Sequence, residues 1–88
     1  MDVEDVFSSR IRVRILKILA QTDGLDDSEI VRRLDVSHET IDRHLKTLEE
    51  ESLIQHKVSG RTRLYRINEH PVKAKAVQNL MEVWERFQ

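Results

Sequence analysis

Only three residues, Asp35-Val36-Ser37, separate two segments whose apolar residues recur at helical spacing, and this junction constrains the fold more than any other feature of the chain. Upstream, Asp26 stands three residues before Glu29, the spacing of a capping box with aspartate in the capping role. Ile30, Val31 and Leu34 then supply one apolar face. Downstream, Ser37 can accept from the backbone amides of Glu39 or Thr40 and start a second helix from His38 to about Glu50. Ile41, Leu45 and Leu48 form its buried stripe. With so short a linker the two helices form a tight corner, a unit that many helical proteins contain.

The flanking segments complete a small α+β domain. From Ser9 to about Gln21, Ile11, Ile15, Ile18 and Leu19 lie at helical spacing, with Val13, Leu16 and Ala20 widening the stripe. Ahead of it, Val3, Val6 and Phe7 have the same spacing, and Ser8-Ser9 favours a cap or break. Thr22-Asp23-Gly24 ends the long helix, and Leu25 falls in a short extended connection. Residues 53–58 and 63–68 alternate apolar and polar around Ser59-Gly60, the pattern of a β-hairpin. Pro71 suits the first turn of a last helix carrying Val77, Leu80, Met81, Val83, Trp84 and Phe87. The expected architecture is mainly α with one small hairpin, a single domain over residues 1–88. Residues 1–70 form its core unit and 71–88 a closing helix.

Composition narrows the function. There is no cysteine among 88 residues, so disulfides, thiolate metal sites and cysteine chemistry are excluded. No run reaches the ~20 apolar residues of a membrane helix, and Met1-Asp2-Val3-Glu4-Asp5 is acidic where a signal peptide is basic, which places the expected protein in the cytoplasm with no membrane partner. His38, His44, His56 and His70 show no His-x-x-x-His pair, so neither metal nor cofactor is expected. Serines, histidines and acids occur where caps and surfaces need them, and no motif positions them for catalysis, so no enzyme is expected.

A formal net charge of −1 argues on its own against a nucleic-acid partner. The charges are nevertheless sorted along the chain. Residues 52–68 hold Lys57, Arg61, Arg63 and Arg66 and no acid, while acids gather at Asp23, Asp26, Asp27 and Glu29 and at Glu49-Glu50-Glu51.

Three segments together carry a family resemblance: Arg12-Val13-Arg14-Ile15-Leu16-Lys17-Ile18-Leu19, the run from Ser37 to Leu48, and Gly60-Arg61-Thr62-Arg63-Leu64-Tyr65-Arg66-Ile67. In this order they resemble the winged helix-turn-helix regulators of the ArsR-like (arsenical-resistance-repressor) and MarR-like type, over nearly the whole chain. The most specific part is Ser37 to Lys46: a capping serine, two variable residues, a threonine, an aliphatic, then Arg43-His44-Leu45-Lys46 after Asp42. Asp35 departs from the glycine frequent in the family's turn, though aspartate tolerates left-handed geometry.

The resemblance implies a transcriptional regulator, most simply a homodimeric repressor, that binds double-stranded DNA. With Ile41, Leu45 and Leu48 inward, Glu39, Arg43 and Lys46 point outward, with Thr40, Asp42 and Thr47 to the sides and Ser37 and His38 at the helix start. Arg43 can pair with guanine, Glu39 can accept from cytosine, and the threonines can meet phosphate or a thymine methyl. The bland alternative is a solvated face with an Asp42–Lys46 pair. Lys57, Arg61, Arg63 and Arg66 are expected to track phosphates or enter a minor groove, against the alternative that they only prevent strand-edge pairing. Tyr65 reads as core. Val3, Val6, Phe7, Val77, Leu80, Met81, Trp84 and Phe87 are expected to form a twofold interface, against the alternative that the last helix folds back on its own core. The competing function is a winged-helix protein-interaction module that uses this helix to join a larger assembly.

Overall fold

The computed structural model describes residues 1–88. Its elements run α1 (Val3–Val6), α2 (Arg10–Ala20), β1 (Leu25–Asp26), α3 (Asp27–Leu34), α4 (His38–Glu50), β2 (Ile54–Ser59), β3 (Thr62–Ile67) and α5 (Val72–Arg86). This is a winged helix-turn-helix: α3 and α4 form the corner, β2 and β3 form the wing, and α2 and α5 close the core.

Three helices begin where a short oxygen-bearing side chain receives an otherwise unpaired backbone amide. Ser9 Oγ accepts from Arg12 N at 3.2 Å, Asp26 Oδ1 from Glu29 N at 2.7 Å, and Ser37 Oγ from Thr40 N at 3.3 Å. The reciprocal half of the capping box does not form. Instead the Glu29 carboxylate accepts from Arg32 and Arg33, one turn on, and these bonds hold its pKa down at about 2. Asp35 ends α3 in the left-handed conformation (φ 55°, ψ 48°), with its amide donating to Val31 O at 2.9 Å. A second left-handed residue, Ser52 (φ 61°), follows α4, and beyond it the Leu53 amide reaches back to Leu48 O at 3.0 Å. This is the helix-ending geometry usually supplied by glycine, and no glycine marks it in the sequence.

The sheet has three strands in the order β1-β3-β2, all antiparallel neighbours. The extended connection at Leu25 is therefore a strand in its own right, pairing with Tyr65. Ser59 pairs with Thr62, so the turn is Gly60-Arg61, one residue later than the sequence pattern suggests. Gly60 takes φ 62°, the positive angle that a two-residue hairpin needs at its first central position.

Every fully buried residue is apolar or aromatic. Ile15, Leu16 and Leu19 of α2, Ile30 and Leu34 of α3, and Ile41, Leu45 and Leu48 of α4 meet Tyr65 and Ile67 of the sheet in one cluster, with Ala74, Val77 and Met81 of α5 closing one side. Leu45 lies in this cluster with almost no exposure, while its neighbour Lys46 faces solvent. Leu45→Ala is expected to cost about 2–5 kcal/mol in urea unfolding, the range for a leucine cavity. Lys46→Ala should stay within about 0.5 kcal/mol of the parent protein.

Candidate nucleic-acid interface

The 3.6-residue period of α4 decides which side chains are available. Because Ile41, Leu45 and Leu48 are buried, Glu39, Arg43 and Lys46, spaced four and three residues apart, form one exposed stripe on the far side. Asp42 is exposed beside them, and Ser37 and His38 are exposed at the helix start. Thr40 and Thr47 are half-buried and already engaged: Thr40 Oγ1 accepts from Ser37 Oγ at 2.9 Å, and Thr47 Oγ1 donates to Arg43 O at 3.2 Å. The helix thus offers two cations and an acid on an open convex surface, with the hydroxyls set lower on its flanks.

The wing divides its four cations. Side chains alternate between the two faces of a hairpin, and directly paired residues share a face. Arg63, opposite Val58, lies on the face that carries Tyr65 and Ile67. Its guanidinium pKa is raised by the Tyr65 hydroxyl first and, further out, by Asp42 and Asp27, so it stands within electrostatic reach of the α3–α4 corner. Arg61 sits in the exposed turn. Lys57 pairs with Leu64 and Arg66 with Gln55, which puts both on the opposite face. Arg66 is also bound to Glu69 at 3.1 Å. The register thus separates the four cations: Arg63 lies on the Tyr65 face, Lys57 and Arg66 on the opposite one, and Arg61 in the turn between the strands.

Arg12 is a link that sequence reading passed over, since nothing in a helical run distinguishes one arginine from the next. Its Nε donates to Val6 O at 2.9 Å and its Nη2 to Asp5 O at 2.8 Å, gripping the end of α1. Its Nη1 lies 3.1 Å from His44 Nδ1 on α4. A guanidinium only donates, so Nδ1 must be the acceptor and the ring proton sits on Nε2. Burial first, then the Arg12 and Arg43 charges, push the His44 pKa below its ordinary 6.5. At the other end of α4, His38 Nε2 lies 2.9 Å from Asp27 Oδ2 and 3.6 Å from Asp42 Oδ1. That hydrogen bond to Asp27, followed by the nearby carboxylate charges, raises the His38 pKa. His38 and Asp42 stand four apart in the sequence, whereas the approach of Asp27 depends on how α3 packs against α4.

The expected interface set also splits. Val6, Val77 and Met81 are 5%, 8% and 9% exposed and belong to the chain's own core, and Phe7 packs against it half-buried. Val77 and Met81 follow the alternative of folding back onto the chain's own core: α5 packs beside α2, and Ala74, Val77 and Met81 are buried in the core cluster. A second apolar stripe of α5 stays open: Ala76, Leu80, Val83, Trp84 and Phe87, with Trp84 67% and Phe87 77% exposed. It is continuous with a groove of about 500 Å³ against α1, where Val3 and Phe7 lie beside Leu80.

The family model described as "HVO_A0261 N-terminal domain" matches residues 1–85. The chain belongs to this family. No curated protein sequence matches it. Among solved structures, this HVO_A0261 N-terminal domain is similar to "HlyU from Vibrio cholerae N16961", with a TM-score of 0.79 and 22% identity over 94% of this chain and 84% of that one. It is also similar to the "predicted DNA-binding transcriptional regulator from E. coli" (0.80, 22%, 98% and 85%) and to the "transcriptional repressor BigR from Xylella fastidiosa" (0.79, 15%, 96% and 81%). At these identities the likeness is one of fold, and the winged helix-turn-helix expected from the sequence is the fold found. No helix is long and apolar enough to cross a membrane.

The two α4 histidines should titrate in a fixed order. His44, with its folded pKa depressed, favours the neutral ring; its contribution to stability is present above pH 6.5 and is lost as pH falls through the lower folded value. A histidine-detected NMR titration should find His44 titrating below His38. Arg12→Gln, by removing one of the two cations facing His44, should move its midpoint up toward 6.5. A reversed order, or a midpoint unmoved by Arg12→Gln, contradicts the assignment.

Proposed function

We propose that this protein is a sequence-specific double-stranded DNA-binding transcriptional regulator, acting as a homodimeric repressor, and that its role is binding rather than catalysis. The observation that supports this most directly is the exposed Glu39–Arg43–Lys46 stripe of α4, with the wing's Arg63 within electrostatic reach of the same corner. A helix presented this way fits a major groove about 12 Å wide, where Arg43 can make two hydrogen bonds to a guanine edge. Arg61 and Arg63 then lie toward the flanking phosphates and supply affinity more than sequence. Proteins of similar fold include a transcriptional repressor from Xylella fastidiosa and one from Bacillus anthracis, which supports the same reading.

A homodimer through the open stripe of α5 and the α1 groove accounts for the exposed Leu80, Val83, Trp84 and Phe87, which the fold otherwise leaves in water. Twofold pairing sets two recognition helices against half-sites one helical turn apart, ~34–36 Å. The net charge of −1 is compatible with this reading because the cations lie in patches, and it implies that binding rests on a few phosphate contacts.

Arg43→Ala is expected to weaken binding to the preferred duplex by about 1–3 kcal/mol and relax the choice of base at one position. A selection from a random duplex pool reads this out, and an unchanged preference removes the assigned role. Arg61→Ala and Arg63→Ala should each flatten the log–log salt dependence of duplex affinity by roughly one, whereas Arg66→Ala should leave the slope in place. Equal slopes for the Arg63 and Arg66 variants would contradict the division of the wing into two faces. For the assembly, light scattering should give dimers for the parent chain and monomers for Trp84→Glu.

A further inference from the structure

We propose that Arg12 and His44 form a proton-operated latch between α1 and α4, closed while the imidazole is neutral and opened by its protonation, so that pH sets the α1 wall of the apolar groove. One guanidinium spans three elements. From α2, Arg12 donates Nε to Val6 O at 2.9 Å and Nη2 to Asp5 O at 2.8 Å, and its remaining arm, Nη1, donates to His44 Nδ1 at 3.1 Å. The third bond exists only for the neutral ring, because a guanidinium has no acceptor to offer a protonated Nδ1. Proton uptake turns a donor facing an acceptor into two donors and two like charges at contact distance. The charged groups bearing on the ring are Arg12 from α2 and Arg43 from α4, with none from α3, α5 or the wing. From α1, the groups that meet the guanidinium are main-chain carbonyls. No carboxylate is among the groups acting on the ring to offset the added charge, and burial opposes that charge as well.

The two sides of the latch differ in what else holds them. α4 is thirteen residues long and anchored by Ile41, Leu45 and Leu48, each at most 1% exposed. α1 is a single turn of four residues with Val6 as its one buried side chain. Apart from Arg12, the polar link of this segment to the rest of the chain is the surface pairing of the Met1 ammonium with Glu51 at 3.4 Å. Opening the latch therefore displaces α1, since local opening is drawn from the elements with the fewest buried contacts. Val3, Val6 and Phe7 line one wall of the groove, opposite Ala76, Val77 and Leu80 of α5, so release of α1 alters that wall. The transition lies below the ordinary histidine value of 6.5, because the folded protein holds the ring neutral to a lower pH. Where the groove joins two copies, the reading on which this regulatory consequence rests, acid loosens the pair and neutral pH restores it.

An NMR titration of the full chain without DNA tests the latch, following the His44 ring, the Arg12 Nε–H and the backbone amides of Val6 and Phe7 as pH falls from neutral. The expected result is one shared midpoint below 6.5, with the Arg12 Nε–H losing its protection from exchange on the acid side. His44→Asn keeps an acceptor near the position of Nδ1 but takes up no proton. In that variant the α1 amides should show no such transition, and the Arg12 Nε–H should stay protected. Arg12→Gln should hold the Val6 and Phe7 amides at their acid-side shifts even at neutral pH. A purely structural Arg12 gives this last change without any transition in the parent chain. Val6 and Phe7 amides that ignore the His44 midpoint in the parent chain, or that keep the same transition in His44→Asn, overturn the proposal. The first of these results needs no variant to fold, and with no DNA present the outcome is separate from that of the DNA-binding reading.

Discussion

The rest of the structure depends on the burial of Ile41, Leu45 and Leu48, one stripe of α4, against the helices and sheet around it. Burying an aliphatic side chain is worth about 1.5–3 kcal/mol, so three in register hold the helix at one rotation against any competing preference of its polar residues. Once that rotation is held, helical geometry turns Glu39, Arg43 and Lys46 to the solvent without further instruction. The candidate recognition surface is thus a by-product of packing. Its chemistry can change through the outward residues while the fold persists through the inward ones.

Electrostatics is arranged around the same helix, mostly by contacts from outside it. Arg12 on α2 grips the carbonyl end of α1 and sets the tautomer of His44, so that α1 and the middle of α4 share one guanidinium. Asp27 on α3 meets His38 at the helix start, and Arg63 on the wing feels Asp42 and Asp27. These neighbours stand far apart along the chain, and each connects a different element to α4. Other cations of this chain are paired locally, Arg66 with Glu69 and both Arg32 and Arg33 with the single carboxylate of Glu29.

Local signals were read well where the interaction itself is local. Ser9, Asp26 and Ser37 cap helices as the sequence suggests, because a cap joins residues three apart. Asp35 accepts the left-handed turn for the same kind of reason. Reading failed where two local solutions compete or where no residue type advertises the geometry. Glu29 had two options, its own helix start or the arginines one turn on, and the second won. Ser52 adopts a glycine-like angle with no glycine to announce it, and the two residues of β1 are too few to display alternation.

From its residues alone this chain determined the order of its helices and hairpin, the tight corner at Asp35-Val36-Ser37, and the inward and hence the outward stripe of α2, α3 and α4, because period, capping and turn chemistry act over a few positions. Only the folded chain decided which distant groups meet. It divided the wing cations by strand register, split α5 into a buried stripe and an open one, and brought Asp27 to His38 and Arg12 to His44. Those outcomes depend on how elements rotate and pair against one another in space, and no periodicity along a single segment carries that information.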